Sequence, residues 1–294
     1  STFLLYGRIM SLSYNDYYTT SGNQDTWEVH LKPCTQKSTT YHAECIRAAR
    51  LIAEESSKQI VLMFSGGIDS EFMLNVFKEA QVDFKVAIIS YGKWNKHDAR
   101  YAFDYCKLHD IVPDIIDLDL EQFVTSGLIY KIAEQGHCSA YQMTSVMHGI
   151  KDIDGCIVMA NCEPQIGKNH DGKWMWDEPE RTNCYRHWYQ YAGIEGTPDF
   201  TRYTPEQTVS FLQEPLVKQL VNNELEVTHT EKIKHLMYNQ YFDQTPRTKY
   251  TGWEYLERYP MFDEVNTRFN EFRGKYNGDF QLPYNVVLDL LAVK

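Results

Sequence analysis

The chain has 294 residues, 43 % of them hydrophobic and 23 % charged, with a formal net charge of −11. The composition is that of a soluble globular protein, and the acidic balance makes an extended nucleic-acid surface unexpected, since such a surface needs clustered Lys and Arg. The apolar runs 60–64 and 286–293 fall well short of the roughly 20 residues that span a bilayer. No basic, apolar leader opens the sequence, so a cytoplasmic protein free of the membrane is expected. Seven cysteines stand at irregular spacing with no CxxC, which predicts reduced thiols rather than a disulfide framework or structural zinc. Cys156 and Cys162 flank an apolar run and are expected to pack in the core.

In chain order, residues 1–40 are rich in Tyr, Ser and Thr and read as a small β extension with strand candidates at 3–6 and 27–31. Residues 41–56 carry Cys45, Ala49 and Ile52 at helical spacing. The unbroken apolar run 60–64 predicts a parallel strand covered on both faces. A helix over 70–80 places Met73, Val76 and Phe77 on one face, and a strand follows at 84–90. Asn95 and Asp98 mark the start of a helix continuing to 109. A strand at 114–117, helices at 121–134 and 139–152, and a strand at 156–160 complete the alternation. That pattern predicts an α/β fold with a doubly wound parallel sheet. Residues 161–200 read as a long irregular stretch holding Trp174, Trp176 and Trp188, a site-covering insertion rather than a linker. Beyond it the chain reads helical. Thr204-Pro205-Glu206-Gln207 has the residues of a capping box with proline at the first helical position, and Pro215 breaks that helix. Further helices fall at 229–240 and at 261–273, the latter with Phe262, Val265, Phe269 and Phe272 along one face. Three units follow: 1–40 as the β extension, 41–165 as a nucleotide-binding domain, and 166–294 as a substrate-covering, mostly helical lobe.

Open α/β sheets bind ligands beyond the carboxyl ends of their strands. Ser65-Gly66-Gly67-Ile68-Asp69-Ser70 occupies that place, between a buried strand and the helix it feeds. Gly66 and Gly67 let backbone N–H groups approach an anion, Ser65 and Ser70 add hydroxyls, and the helix N-terminus adds partial positive charge. Asp69 would repel phosphate unless a divalent cation lay between them, so it points to Mg2+. Neither GxxxxGK[ST] nor GxGxxG is present.

The segment resembles the SGGxDS motif of the N-type ATP pyrophosphatases, the PP-loop group of adenine nucleotide α-hydrolase-like fold that includes asparagine, GMP and NAD synthetases and several nucleobase-modifying enzymes. The resemblance implies ATP and Mg2+ as cofactors and cleavage to AMP and pyrophosphate. A second likeness lies downstream: Lys232, then Pro246-Arg247-Thr248-Lys249, is similar to a region of asparagine and β-lactam synthetases. There a lysine reaches back over the active site. The resemblance implies that Lys249 stabilises charge developing on adenylation, with Arg247 as a further phosphate partner. It also implies an acidic motif after a later strand; only Glu163 in Met159-Ala160-Asn161-Cys162-Glu163-Pro164 can fill that role, as a second metal ligand beside Asp69. Ser90, at a strand end, would lie near adenine.

His137-Cys138-Ser139 reads as a packed helix start. His170, Asp171, Trp174 and Trp176 either line an acceptor pocket or pin a loop, and His187 with Cys184 has the wrong surroundings for a metal site. The expected partners are a small-molecule acceptor, a carboxylate by preference, and a nitrogen donor that forms an amide. Residues 1–40 are too short for a glutaminase, so ammonia would come from solution or from a separate glutaminase subunit. Two alternatives stay open. One keeps the fold and adenylates a nucleobase or amide carbonyl, or is a sulfonucleotide reductase relative. The other is a nucleotide-binding regulatory subunit that has lost catalysis.

Overall fold

The computed structural model describes residues 20–21, 28–29, 31–178, 180–245, 247–248, 250–276 and 280–293. Strands β1 (Thr20–Ser21) and β2 (Glu28–Val29) pair antiparallel. The second overlaps the candidate at 27–31; the candidate at 3–6 lies outside the described residues. Helix α1 (Tyr41–Glu55) starts where the Thr40 side chain accepts the Ala43 N–H, and it buries Cys45, Ala49 and Ile52 as its spacing requires.

The main sheet has five strands in the order β5-β4-β3-β6-β9, all parallel. They are β3 (Ile60–Met63), β4 (Lys85–Ser90), β5 (Asp114–Asp117), β6 (Cys156–Val158) and, from beyond residue 165, β9 (Glu195–Thr197). Alternation along β3 feeds two cores: Ile60, Leu62 and then Phe64 join one, Val61 and Met63 the other. The first core is covered by α1, α2 (Ile68–Glu79) and α3 (Lys96–Leu108). The second is covered by α4 (Leu120–Thr125), α5 (Leu128–Gln135) and α6 (Tyr141–Ile150). The single helix expected over 121–134 is therefore two: Gly127 sits at φ 74°, a left-handed break between α4 and α5.

The stretch 161–200 is more regular than its sequence indicates. Strands β7 (Gln165–Lys168) and β8 (Trp174–Glu178) form a hairpin, followed by α7 (Glu180–Ala192). The Asn169 side chain accepts N–H groups from Asp171 and Lys173, and Gly172 turns at φ 76°. The hairpin drives Ile166 and Trp176, both fully buried, into the first core. His170 and Asp171 sit exposed at its tip, and neither they nor Trp174 and Trp176 line the cavity described below.

Helix α8 (Pro205–Leu212) carries the capping box of Thr204 and Gln207, and α9 (Pro215–Val221) starts at its proline. The helix expected at 229–240 is a 3-10 turn at Thr230–Lys232 followed by the short α10 (Lys234–Tyr238). After α11 (Trp253–Leu256), α12 (Phe262–Tyr276) buries Phe262, Val265, Phe269 and Phe272 in the second core. Strand β10 (Phe280–Pro283) joins β8, and α13 (Tyr284–Leu291) closes the first core. All seven cysteines are free and buried, and no helix among the described residues is long and apolar enough to cross a membrane.

Candidate functional site

Strand β3 delivers the chain through Phe64 into Ser65-Gly66-Gly67 and on into α2 at the carboxyl edge of the sheet. Gly66 has φ +76°, and a Cβ there would lie 2.5 Å from the Asp98 carbonyl oxygen and 3.0 Å from the Ala102 nitrogen. The loop thus needs glycine twice, for its backbone conformation and for its seat on α3. Gly66→Ala is expected to lower stability by about 1–3 kcal/mol and to weaken nucleotide binding, as the loop lifts from α3. A melting curve and a nucleotide titration check this; a variant unchanged in both would contradict it.

The loop hydroxyls converge. Ser65 Oγ lies 3.2 Å from Ser70 Oγ and accepts the Gly67 N–H, while the Ser70 hydroxyl donates to the Gly67 carbonyl at 2.9 Å. The first-turn amides of α2 lack intrahelical acceptors, so they present positive charge at the strand end. An anion fits there.

Asp69, in that first turn, does not face solvent alone. Its Oδ2 accepts from the Lys234 ammonium at 2.8 Å and its Oδ1 from the Tyr238 hydroxyl at 2.9 Å. The same ammonium donates at 3.0 Å to Oε2 of Glu163, which is fully buried, and Thr230 donates to Glu163 Oε1 at 3.3 Å. Burial alone would push the Lys234 pKa down, but the charges and hydrogen bonds of Asp69 and Glu163 outweigh it and hold the ammonium charged. Burial, and next the charge of Asp69 among its neighbours, raises the Tyr238 pKa and keeps its phenol a donor. Asp69 and Glu163, assigned to the metal from separate strand ends, thus converge on one cationic position. Among the described residues no group of three or more His, Cys, Asp or Glu could hold a metal. Two carboxylates suit Mg2+ whose remaining ligands are phosphate oxygens and water, so the donor set fits that ion.

A cavity of about 310 Å³ opens beside the loop, lined by Ser65, Ser70, Ile88, Ile89, Tyr91, Asn95, Asn161 and Trp253 among others. Ser90 is not in its wall: its hydroxyl accepts the Gly92 N–H in the turn after β4, and its neighbours line the space. Asn95 does not cap α3 with its side chain; it accepts the Tyr91 N–H at 2.8 Å and donates to the Ile89 carbonyl at 3.0 Å, fixing that wall.

The segment before α11 folds back over this edge. Gln244 donates to the Ile68 carbonyl, the Tyr250 N–H donates to Asp98, and Gly252, at φ +97°, packs on the Trp94 backbone. Arg247 is ion-paired with Glu71 and lies 5.1 Å over the Tyr101 ring. Its cation is therefore engaged on α2 and α3, at the flank of the Ser65–Ser70 loop. Lys249 and Pro246 lie outside the described residues. Lys232 is exposed.

Sequence reasoning missed Lys234 and Tyr238. They stand four apart on one helix face, a pairing visible in the sequence, but their target lies far away in the chain. Elsewhere His137 stacks on His187 at 4.0 Å and on Tyr276 at 5.2 Å, a packing role. Burial, with His137 beside it, pushes the His187 pKa down to about 4.

Residues 59–148 match a family model described as queuosine biosynthesis protein QueC. The match supports the N-type ATP pyrophosphatase superfamily. It does not single out the asparagine synthetase branch. Among curated proteins no sequence matches the chain. A solved structure of an NH3-dependent NAD synthetase from Campylobacter jejuni subsp. jejuni NCTC 11168, in complex with the nitrate ion, is similar at 14 % identity and a TM-score of 0.36. The likeness covers 81 % of this chain and 96 % of that one. Similarity of that degree carries no statement about activity.

Proposed function

We propose that the chain is an AMP-forming synthetase that adenylates a carboxylate and passes the acyl group to a nitrogen nucleophile. The observation that carries this reading is that Lys234 joins Asp69 of the Ser65–Ser70 loop to Glu163, while Ser65 and Ser70 of the same loop line the adjoining cavity. Ser65, Gly66, Gly67 and Ser70 hold the pyrophosphate portion of ATP through hydroxyls and helix amides. Asp69 and Glu163 hold Mg2+, which neutralises phosphate charge when bound. The adenosine occupies the cavity against the turn after β4.

A carboxylate oxygen attacks the α-phosphorus, the bond to the β-phosphate oxygen breaks, and pyrophosphate leaves. The nitrogen then attacks the acyl carbon, AMP leaves, and the amine loses its proton. Lys234 stabilises the negative charge gathering on the departing pyrophosphate. Arg247, ion-paired with Glu71, braces the flank of the loop, and Lys249 keeps the role that the resemblance implies, countering charge that develops on adenylation. Ammonia from solution, or from a separate glutaminase subunit, serves as the simplest nitrogen donor. A second reading, with a nucleobase-type acceptor adenylated on a ring or amide carbonyl, is favoured by the family match over 59–148.

Oxygen-18 labelling separates the two. With labelled acids in a panel of carboxylates, amides and nucleobases, one labelled oxygen is expected in AMP. Turnover confined to unlabelled nucleobases would favour the second reading, and label in orthophosphate would contradict both.

A further inference from the structure

Each of the two carboxylates assigned to the metal is held in the same way. One oxygen accepts from a neutral hydroxyl: Asp69 Oδ1 from Tyr238, Glu163 Oε1 from Thr230. The other oxygen of each faces the single ammonium of Lys234, at 2.8 and 3.0 Å. The hydroxyls orient the carboxylates, and the cation-facing oxygens are left to whichever cation is present. We infer that Lys234 is a resident substitute for the divalent ion, holding Asp69 and Glu163 in place without metal and yielding its position when metal arrives with nucleotide. The inference rests on the assignment of Asp69 and Glu163 to the metal.

Charge requires such a substitute. Glu163 is fully buried and the side chain of Asp69 is 17 % exposed. Two carboxylates turned toward one point would repel each other and lose hydration without a cation between them. The substitute and the ion exclude each other. An ammonium sits about 2.8–3.0 Å from its oxygen partners, whereas Mg2+ draws its ligands to about 2.0–2.1 Å. Both cannot occupy the space between the same two oxygens.

Lys234 stands at the first position of α10 on a four-carbon stem, so it can leave without unfolding the helix. A tethered cation competes as if present at about millimolar concentration or more, so free Mg2+ displaces it poorly. ATP changes the balance, because its phosphates bring ligands for the metal and a new partner for the ammonium. Metal and nucleotide therefore bind together, and metal alone binds weakly.

The test uses Mn2+ alone, with no nucleotide, on the full chain, reading bound ion by electron paramagnetic resonance and stability by thermal melting. Lys234→Met is expected to bind Mn2+ at least about tenfold more tightly than the wild type, and to gain melting temperature on Mn2+ addition where the wild type gains little. Adding Glu163→Gln should remove both gains. Lys234→Arg, which keeps a cation, should behave like the wild type. If the apolar variant is insoluble, Lys234→Gln, which retains a donor for Glu163, replaces it.

Unchanged Mn2+ affinity in the variant overturns the inference. So does a wild type that gains as much melting temperature on Mn2+ addition as Lys234→Met does. Failure of both variants to fold even with Mn2+ present also overturns it, since the ion should satisfy both carboxylates. Because the metal-only readings involve no nucleotide, a chain that shows them yet binds no ATP would keep this inference and sink the proposed function.

Discussion

Asp69→Asn is expected to lower acceptor-dependent pyrophosphate release by at least about 10³-fold while leaving the protein folded. Bound metal contributes several kcal/mol of charge stabilisation, and each 1.36 kcal/mol is tenfold in rate. The substitution removes the charge of one of the two carboxylates that face the cation position. Asparagine keeps an oxygen that can accept from the Tyr238 hydroxyl, and Lys234 keeps Glu163 as its partner. The stability loss should therefore stay near the roughly 1.5–3 kcal/mol of one hydrogen bond to a charged group. Circular dichroism and a pyrophosphate-coupled assay on the same sample make the comparison. A folded variant with wild-type pyrophosphate release would remove Asp69 from the metal.

Lys234→Ala should act differently, falling on kcat more than on the affinity for ATP. If the ammonium moves from the carboxylates to the phosphates when metal and nucleotide bind, the charge it meets grows further as the α–β bond breaks. An interaction that strengthens in the transition state costs kcat more than it costs ATP affinity when it is lost. Loss of one such electrostatic contact costs about 10²–10³ in rate. The structural consequence runs separately: breaking a buried ion pair from one side costs about 3–5 kcal/mol, which appears in the melting temperature without metal. Lys234→Arg should restore little activity, since a planar fork does not replace a compact ammonium on a short helix. Measured kcat and KM for ATP decide the matter. A variant that loses ATP affinity while keeping kcat would assign Lys234 to ground-state binding alone.

The parts of the molecule readable from sequence are those whose physics is local. Ile60-Val61-Leu62-Met63 is apolar throughout because both faces are covered, and Gly66-Gly67 with Ser70 stands out because a tight strand-to-helix turn needs those residue types. Thr204 and Gln207 satisfy each other within one turn, so their cap was visible too. What stayed hidden depends on distant partners. Strand β9 is Glu195-Gly196-Thr197, with no apolar pattern. It pairs with β6 so closely that a Cβ on Gly196 would lie 1.9 Å from the Ile157 carbonyl oxygen. The β7–β8 hairpin carries Gln165, Lys168 and Asp177 and completes its sheet only with β10, near the end of the chain. Lys234 reaches Asp69 and Glu163 only after α10 folds over two strand ends. The Arg247 side chain was readable as a cation near the loop, but not its pairing with Glu71, whose place in the first turn of α2 looked like ordinary helix chemistry.

The central claim is that ATP is cut between its α- and β-phosphates at the Ser65–Ser70 loop. The direct test separates the nucleotide products of a single incubation with Mg·ATP, a nitrogen donor and an active acceptor. AMP and pyrophosphate in equal amounts, both lost in Asp69→Asn, are the predicted result; ADP with orthophosphate as the stoichiometric products would contradict the account.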